Sequence, residues 1–305
     1  MMMTPTAKRP IHGWLNIDKP LYMSSAQVVG AVKRITRAQK VGHAGTLDPL
    51  ASGILPIALG EATKTSGYMM DATKDYRFTV TFGESRSTDD AEGEVLERSD
   101  IRPSEADLQA VLPSFTGTIE QVPPIYSAIK QDGQRAYALA RAGEAVTMQA
   151  RLVQIHHVKL LDYDGTHATL DVICGKGTYI RSLARDIAHS LGTVGYVSML
   201  RRQRVGNFSE SNAISLDFLE KLVHSPADIQ GDSLNRALLP IFTALDDIPA
   251  HAVDSKEATM LRRGQVIACR TPFTGGIIAV MEQGELVALC ERQGQVLKPK
   301  RVFNH

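Results

Sequence analysis

The chain has 305 residues, 34 Lys and Arg against 33 Asp and Glu, and 43% hydrophobic residues. This composition excludes collagen-like repeats, a disulfide scaffold and wholesale disorder, and the length suits one large domain or one large plus one small. A net charge of +1, taken alone, argues against a nucleic-acid partner, whose phosphates reward clustered Lys and Arg.

In chain order, residues 13–20 alternate apolar and polar side chains and stop at Pro20, the pattern of a short strand. Ser24 or Ser25 then caps a helix in which Val28, Val29, Val32 and Ile35 recur at helical spacing. A loop punctuated by Gly and Pro spans 42–53, with a strand over 54–59. In 75–83, Tyr76, Phe78, Val80 and Phe82 alternate with Arg77, Thr79 and Thr81, which predicts a half-buried strand. The acidic run 89–94 reads as a surface hairpin tip or loop. Ser104 with Asp107 resembles a capping box ahead of a helix using Leu108, Val111 and Leu112.

At Pro123-Pro124 the pattern breaks, and a polar stretch runs to Gln149 with a short helix expected near 137–141. That is long for a connection and points to a functional insertion such as a lid. Strands return over 151–161 and 167–174. Gly175-Lys176-Gly177 turns into a helix with Ile180, Leu183, Ala184, Ile187 and Ala188 on one face, ended by Gly192. Residues 225–250 read as an acidic connector, and short β-rich runs such as 277–280 and 286–289 follow between glycines. The order of elements predicts an α+β fold around a mostly antiparallel sheet.

Cys174, Cys269 and Cys290 are odd in number and form no C-x-x-C pair, which fits neither a disulfide framework nor a zinc site but suits a reducing cytosol. Lys8 and Arg9 precede no apolar run of the secretory type. The longest apolar stretch, 54–59, is far short of the ~20 residues that span a bilayer. A cytoplasmic protein with no membrane partner is expected.

Split by segment, the net charge is +5 over 1–81, −6 over 82–110, 0 over 111–150, +4 over 151–206, −5 over 207–251 and +3 over 252–305. A neutral total therefore permits a basic working face, with the acidic blocks expected away from it.

The most informative stretch is Gly42-His43-Ala44-Gly45-Thr46-Leu47-Asp48-Pro49-Leu50-Ala51-Ser52-Gly53. A carboxylate among glycines sits on a shaped loop of the kind that carries catalytic residues. An Asp before Pro also simply starts turns, and the residues alone leave both readings open. This segment resembles the signature of the TruB-type pseudouridine synthases, a family acting on the T-loop uridine of tRNA, position 55. Four more segments resemble family motifs in the same order: Asn16-Ile17-Asp18-Lys19-Pro20, Lys74-Asp75-Tyr76, residues 177–186 with Tyr179 and Arg181, and Leu200-Arg201-Arg202. The resemblance covers roughly residues 11–250, and the tail from about 251 resembles, more weakly, the PUA-like module of bacterial members.

The resemblance implies a pseudouridine-synthase-like α+β fold, its mixed, mostly antiparallel sheet flanked by helices, with a small C-terminal β-rich PUA-like domain. The catalytic domain would be 1–250, with a thumb-like insertion at about 124–151, and the RNA-binding module 251–305. Asp48 would be the nucleophile, paired with and oriented by Arg181. Tyr76 would stack on the target base and help remove a proton, although alone it reads as a strand core aromatic. His43 would fill the space left by the flipped base, Tyr179 would line the pocket, and Leu200 would wall the uracil. Lys19, Lys64, Lys130 and Arg202 would contact the RNA backbone, with Arg135, Arg141, Tyr126 and Tyr137 available on the insertion. The partner would be the tRNA T-arm stem-loop, bound by a monomer with no protein partner, no cofactor and no metal, and the protein could also assist tRNA folding. Two rivals are a non-catalytic RNA-binding protein on the same fold and a glycosidase, for which no second carboxylate is evident near Asp48.

Overall fold

The structure, a computed structural model, describes residues 8–304 except 128, 132–133, 137–138, 140–141, 143, 145, 225–231, 246 and 270–275. The first elements are β1 (Gly13–Lys19), α1 (Ser25–Thr36), β2 (Val41–His43), β3 (Ala51–Leu59), α2 (Ser66–Asp71) and β4 (Lys74–Phe82). A hairpin of β5 (Glu84–Arg86) and β6 (Val95–Arg98) leads to α3 (Glu105–Val111) and β7 (Gly117–Gln121). The insertion holds β8 (Lys130–Gln131) and β9 (Gln134–Arg135). Then come β10 (Arg151–Tyr163), β11 (His167–Cys174), α4 (Ile180–Ser190), β12 (Gly195–Val205), β13 (Phe208–Ser209), α5 (Leu216–Val223) and α6 (Asp232–Ala237). The C-terminal part has β14 (Ala250–Ala252), α7 (Ser255–Arg262), β15 (Ile267–Ala268), β16 (Ile277–Glu282), β17 (Glu285–Gln293) and β18 (Val296–Val302).

Local chemistry explains these boundaries. Ser24 accepts from the Gln27 amide while the Gln27 side chain takes the Ser24 amide, a full capping box, and Arg37 in the left-handed region ends α1. In β4 the apolar set faces the core, with Tyr76, Phe78, Val80 and Phe82 buried and their neighbours half-exposed. One face of α4 buries Leu183, Ala184, Ile187 and Ala188. Gly192, at φ 71°, allows the turn that follows.

The large sheet runs β1-β3-β12-β4-β11-β10-β7, with β2 on β3 and β13 on β12. Among the described residues its one parallel strand pairing is β12 with β3, so it is mixed and mostly antiparallel, as expected. A second sheet, β14-β16-β17-β18-β15, forms the C-terminal β part. The two share a core: Trp14 and Phe208, 5.5 Å apart between ring centres, join Ala279, Leu286, Leu289 and Phe303. The expected connector over 225–250 carries α6 in its described part, and the strand β12, which holds Leu200, lies at the sheet centre. Among the described residues no helix is long and apolar enough to cross a membrane.

Candidate active site

The loop carrying Asp48 joins β2 to β3, so the carboxylate stands where the central strands begin. Its shape is fixed from several sides. The Ser25 hydroxyl donates to the Leu47 carbonyl at 2.9 Å and accepts from the Leu47 amide at 2.8 Å. Gly45 and Gly53 sit at φ 99° and 100°, and a Cβ on Gly53 would lie 2.1 Å from the Arg202 carbonyl oxygen, so β12 leaves no room for a side chain there. Arg202 is 1% exposed. It donates from Nε to the Ile54 carbonyl at 2.7 Å and from Nη2 to the Gly45 carbonyl at 3.1 Å, with Nη1 3.5 Å from the Thr46 carbonyl. One guanidinium thus ties together both flanks of Asp48.

Arg181 comes from the first turn of α4, whose N-cap is Tyr179. Its Nη2 lies 3.0 Å from Asp48 Oδ2, and its Nε lies 3.7 Å from Asp90 Oδ2. The remaining donors go to backbone: Nη1 to Thr88 at 2.8 Å and Nη2 to Tyr126 at 2.9 Å. The guanidinium is 5% exposed and the Asp48 side chain 38% exposed. The cation is therefore a buried anchor, and the carboxylate is the member of the pair that faces the opening. Asp90 is held in turn by the Thr88 hydroxyl at 2.5 Å and the Glu92 amide at 3.0 Å. Arg185, one turn along α4, bonds Asp89, Asp186 and the Val122 carbonyl at 2.9, 3.0 and 2.8 Å. Burial pushes the Asp89 carboxyl up from its ordinary range, against the opposing pull of Arg185 and Arg181.

Around Asp48 opens a cleft of about 350 Å³ whose walls include Tyr76, Tyr179, Leu200 and Lys74, with Ser127 and Ile129 from the insertion. Tyr76 is buried in β4, and burial raises its phenol above the usual value. Burial likewise raises the Tyr179 phenol. Gln121 at the end of β7 fixes Tyr179 reciprocally, accepting from its amide at 2.8 Å and donating to its carbonyl at 3.1 Å. Lys74 donates to the carbonyls of Met69, Met70 and Ala72 at the end of α2; burial, then Arg202, lowers its pKa to about 8.

The structure brings together Asp48, Arg181, Tyr76, Tyr179 and Leu200. His43 stands half-buried at the end of β2, five residues before Asp48. Two expected backbone contacts, Lys19 and Arg202, are corrected by their burial, and a third, Lys64, is found already paired. Lys19 is fully buried and donates to the carbonyls of Pro20, Met23 and Pro49 at 2.9, 2.6 and 3.3 Å, so it braces the loop from beneath. Arg202 is spent inside, as described. Lys64 donates to Glu61 at 2.6 Å and the Val302 carbonyl at 2.8 Å, close to the Phe303 ring, and fastens the C-terminal strand to the large sheet. The neighbours of Arg202 on β12 are also paired, Arg201 with Asp18 and Glu210 and Arg204 with Asp75. Tyr137 and Arg141 lie outside the described residues, as do the side chains of Lys130 and Arg135.

A larger correction concerns the acidic block. The run expected to be a remote hairpin tip places Asp89 and Asp90 beside the two arginines, because Asp90 bridges to Val197 in β12 and the Val197 amide donates to Asp89. Nothing local in the sequence marks these residues. The signal was the pair Arg181 and Arg185, one turn apart on α4, whose charges demand carboxylates.

Residues 33–180 match the model of the TruB family pseudouridylate synthase N-terminal domain, and residues 181–246 that of the tRNA pseudouridylate synthase B C-terminal domain. The boundary between the two matches falls inside the site, at Arg181. A tRNA pseudouridine synthase B of Nitrobacter winogradskyi is 52% identical over 301 residues, 97% of this chain and 84% of that protein. One from Caulobacter vibrioides is 48% identical over 304 residues, 96% of each chain. Among solved structures, the archaeal box H/ACA sRNP Nop10–Cbf5 complex contains a chain with a TM-score of 0.73 and 25% identity, matched over 96% of this chain and 86% of that one. A Cbf5–Nop10–Gar1 complex gives 0.74 and 26%, over 96% and 85%.

Proposed function

The chain belongs to the TruB family of pseudouridylate synthases, and from that premise we propose that it isomerises the T-loop uridine of tRNA, position 55, with Asp48 as nucleophile. It is a pseudouridine synthase, an isomerase, and its curated relatives are named for action on tRNA. The observation that carries the finer reading is the Asp48–Arg181 pair at 3.0 Å on a cleft walled by Tyr76 and Leu200.

Pseudouridine formation exchanges the bond from C1′ to N1 for a bond from C1′ to C5; C5 loses a proton and N1 gains one. There is no net change of atoms or oxidation state, so carboxylate attack with retention of the detached base is sufficient chemistry. Arg181 orients the Asp48 carboxylate and balances its charge. Tyr76 and Leu200 sandwich the base while it turns, and the Tyr76 hydroxyl takes up the C5 proton as it passes its own hydrogen on to solvent. A stacked uridine must first leave its loop, at a cost of a few kcal/mol. The half-exposed His43 ring is placed to replace it in the stack.

We assign residues 1–250 to the catalytic domain, 124–151 to a thumb over the RNA, and 251–305 to a PUA-like RNA-binding module. Ser127 and Ile129 in the cleft wall, and Tyr126 bonded to Arg181, support the thumb reading. In this reading the protein acts in the cytoplasm as a monomer on the T-arm stem-loop. The test is chemical mapping of pseudouridine in an unmodified tRNA transcript treated with the protein, beside a transcript carrying cytidine at position 55. Product at position 55 in the first and none in the second is expected; product elsewhere would sink the assignment of the site.

A further inference from the structure

We propose that Tyr22 is an RNA-stacking residue at the rim of the cleft, receiving a base that flanks the flipped uridine. The inference rests on the reading of the chain as an RNA-modifying enzyme. Among the described residues, four that are not glycine have positive φ: Tyr22, Arg37, Asp89 and Gln283. Three have an evident local reason. Arg37 caps α1, its amide bonded to the Lys33 carbonyl. Asp89 is held by Arg185 and by the Val197 amide. Gln283 turns the tight hairpin between β16 and β17.

Tyr22, at φ 66°, has its backbone amide bonded to the Pro49 carbonyl, but its side chain shows no such return. A side chain in the left-handed region is strained where glycine is not, and this ring is 77% exposed, so burial does not offset the strain. Its neighbour Leu21 is about half exposed. Strain kept in an exposed residue points to a contact made with something else.

The position of the turn says what that contact is. The Tyr22 amide donates to the Pro49 carbonyl at 2.8 Å, and the buried Lys19 ammonium reaches the same oxygen at 3.3 Å while holding Pro20 and Met23. The turn 20–23 is therefore fastened to the residue next to Asp48, and it carries an exposed aromatic ring beside the loop that an RNA base would approach. Aromatic rings accept any base through its π-face, which suits a flanking nucleotide.

The test compares wild type, Tyr22→Gly and Tyr22→Phe for affinity toward an unmodified T-arm stem-loop and for melting temperature. The Gly variant should bind at least about fivefold more weakly, from the usual worth of one stacked base, while melting at or above the wild-type temperature because strain is relieved. The Phe variant should bind within about twofold of wild type. Wild-type affinity in the Gly variant would overturn the proposal, as would a Phe variant as weak as Gly, or a Gly variant that melts lower. These readouts do not require turnover, so a wild-type protein that binds RNA but makes no pseudouridine would overturn the activity and leave this contact standing.

Discussion

The Nη2 of Arg181 lies 3.0 Å from Oδ2 of Asp48, and the same guanidinium reaches Asp90 at 3.7 Å. Two carboxylates thus share one buried cation, one facing the opening and one facing inward. Arg181→Lys keeps the charge but cannot hold Asp48 while also donating to Thr88 and Tyr126. Its kcat should fall about 100-fold, in the range seen when one preorganised electrostatic partner is lost. Asp90→Asn, which keeps shape and removes charge, should lower kcat by about tenfold. Single-turnover assays on unmodified tRNA, with affinity measured alongside, separate these losses from weakened binding.

Arg202 predicts a stability effect. Arg202→Met leaves the buried Ile54 carbonyl without its donor, a loss of about 1–3 kcal/mol, and removes weaker, partly solvated bonds to Gly45 and Thr46. The variant should lose about 2 kcal/mol in urea unfolding. Arg202→Lys should recover little of this, because one ammonium cannot span all three oxygens.

Lys19 predicts a pH dependence. Desolvation lowers its pKa to about 8, against the upward pull of Asp48. Between pH 8 and the ordinary Lys value near 10.4, the unfolded chain binds more protons than the folded one at this site. Its contribution to unfolding free energy therefore rises with pH through that window and is a constant cost below it. Lys74 is shifted in the same direction. Subtracting the Lys19→Met pH–stability curve from wild type should expose a positive slope between pH 8 and 10; a flat difference would contradict it.

Glu61 and Lys64 fasten the end of the chain. The Asn304 amide donates to Glu61 at 2.8 Å, and Lys64 reaches the Val302 carbonyl at 2.8 Å. Because the pair is partly exposed, Glu61→Ala should cost only about 1 kcal/mol globally. The Asn304 amide should exchange with solvent several-fold faster while β17 amides keep their protection.

Much of this was legible in the sequence, for particular reasons. Strand alternation located β4 and β11, serine caps located α1 and α3, and the Gly-rich stretch located the loop that carries Asp48. What was not legible depended on pairing across the sheet. The two ends of the Arg202 clamp, 148 residues apart in the chain, meet only because β12 inserts parallel to β3 and antiparallel to β4. That insertion turns a basic motif inward and removes Lys19 and Arg202 from any RNA surface. The same strand draws Asp89 and Asp90 into the site through Val197. Segment charge could not show this, because a block of net −6 contains both surface acids and two buried partners of arginines.

The central claim is that the Asp48 carboxylate forms the covalent bond. Unmodified tRNA should be incubated with wild type and with Asp48→Asn, and pseudouridine mapped chemically. Wild type should convert position 55, while Asp48→Asn, isosteric but without the nucleophilic charge, should bind the same RNA and form no product. Conversion by Asp48→Asn at the wild-type rate would contradict the account.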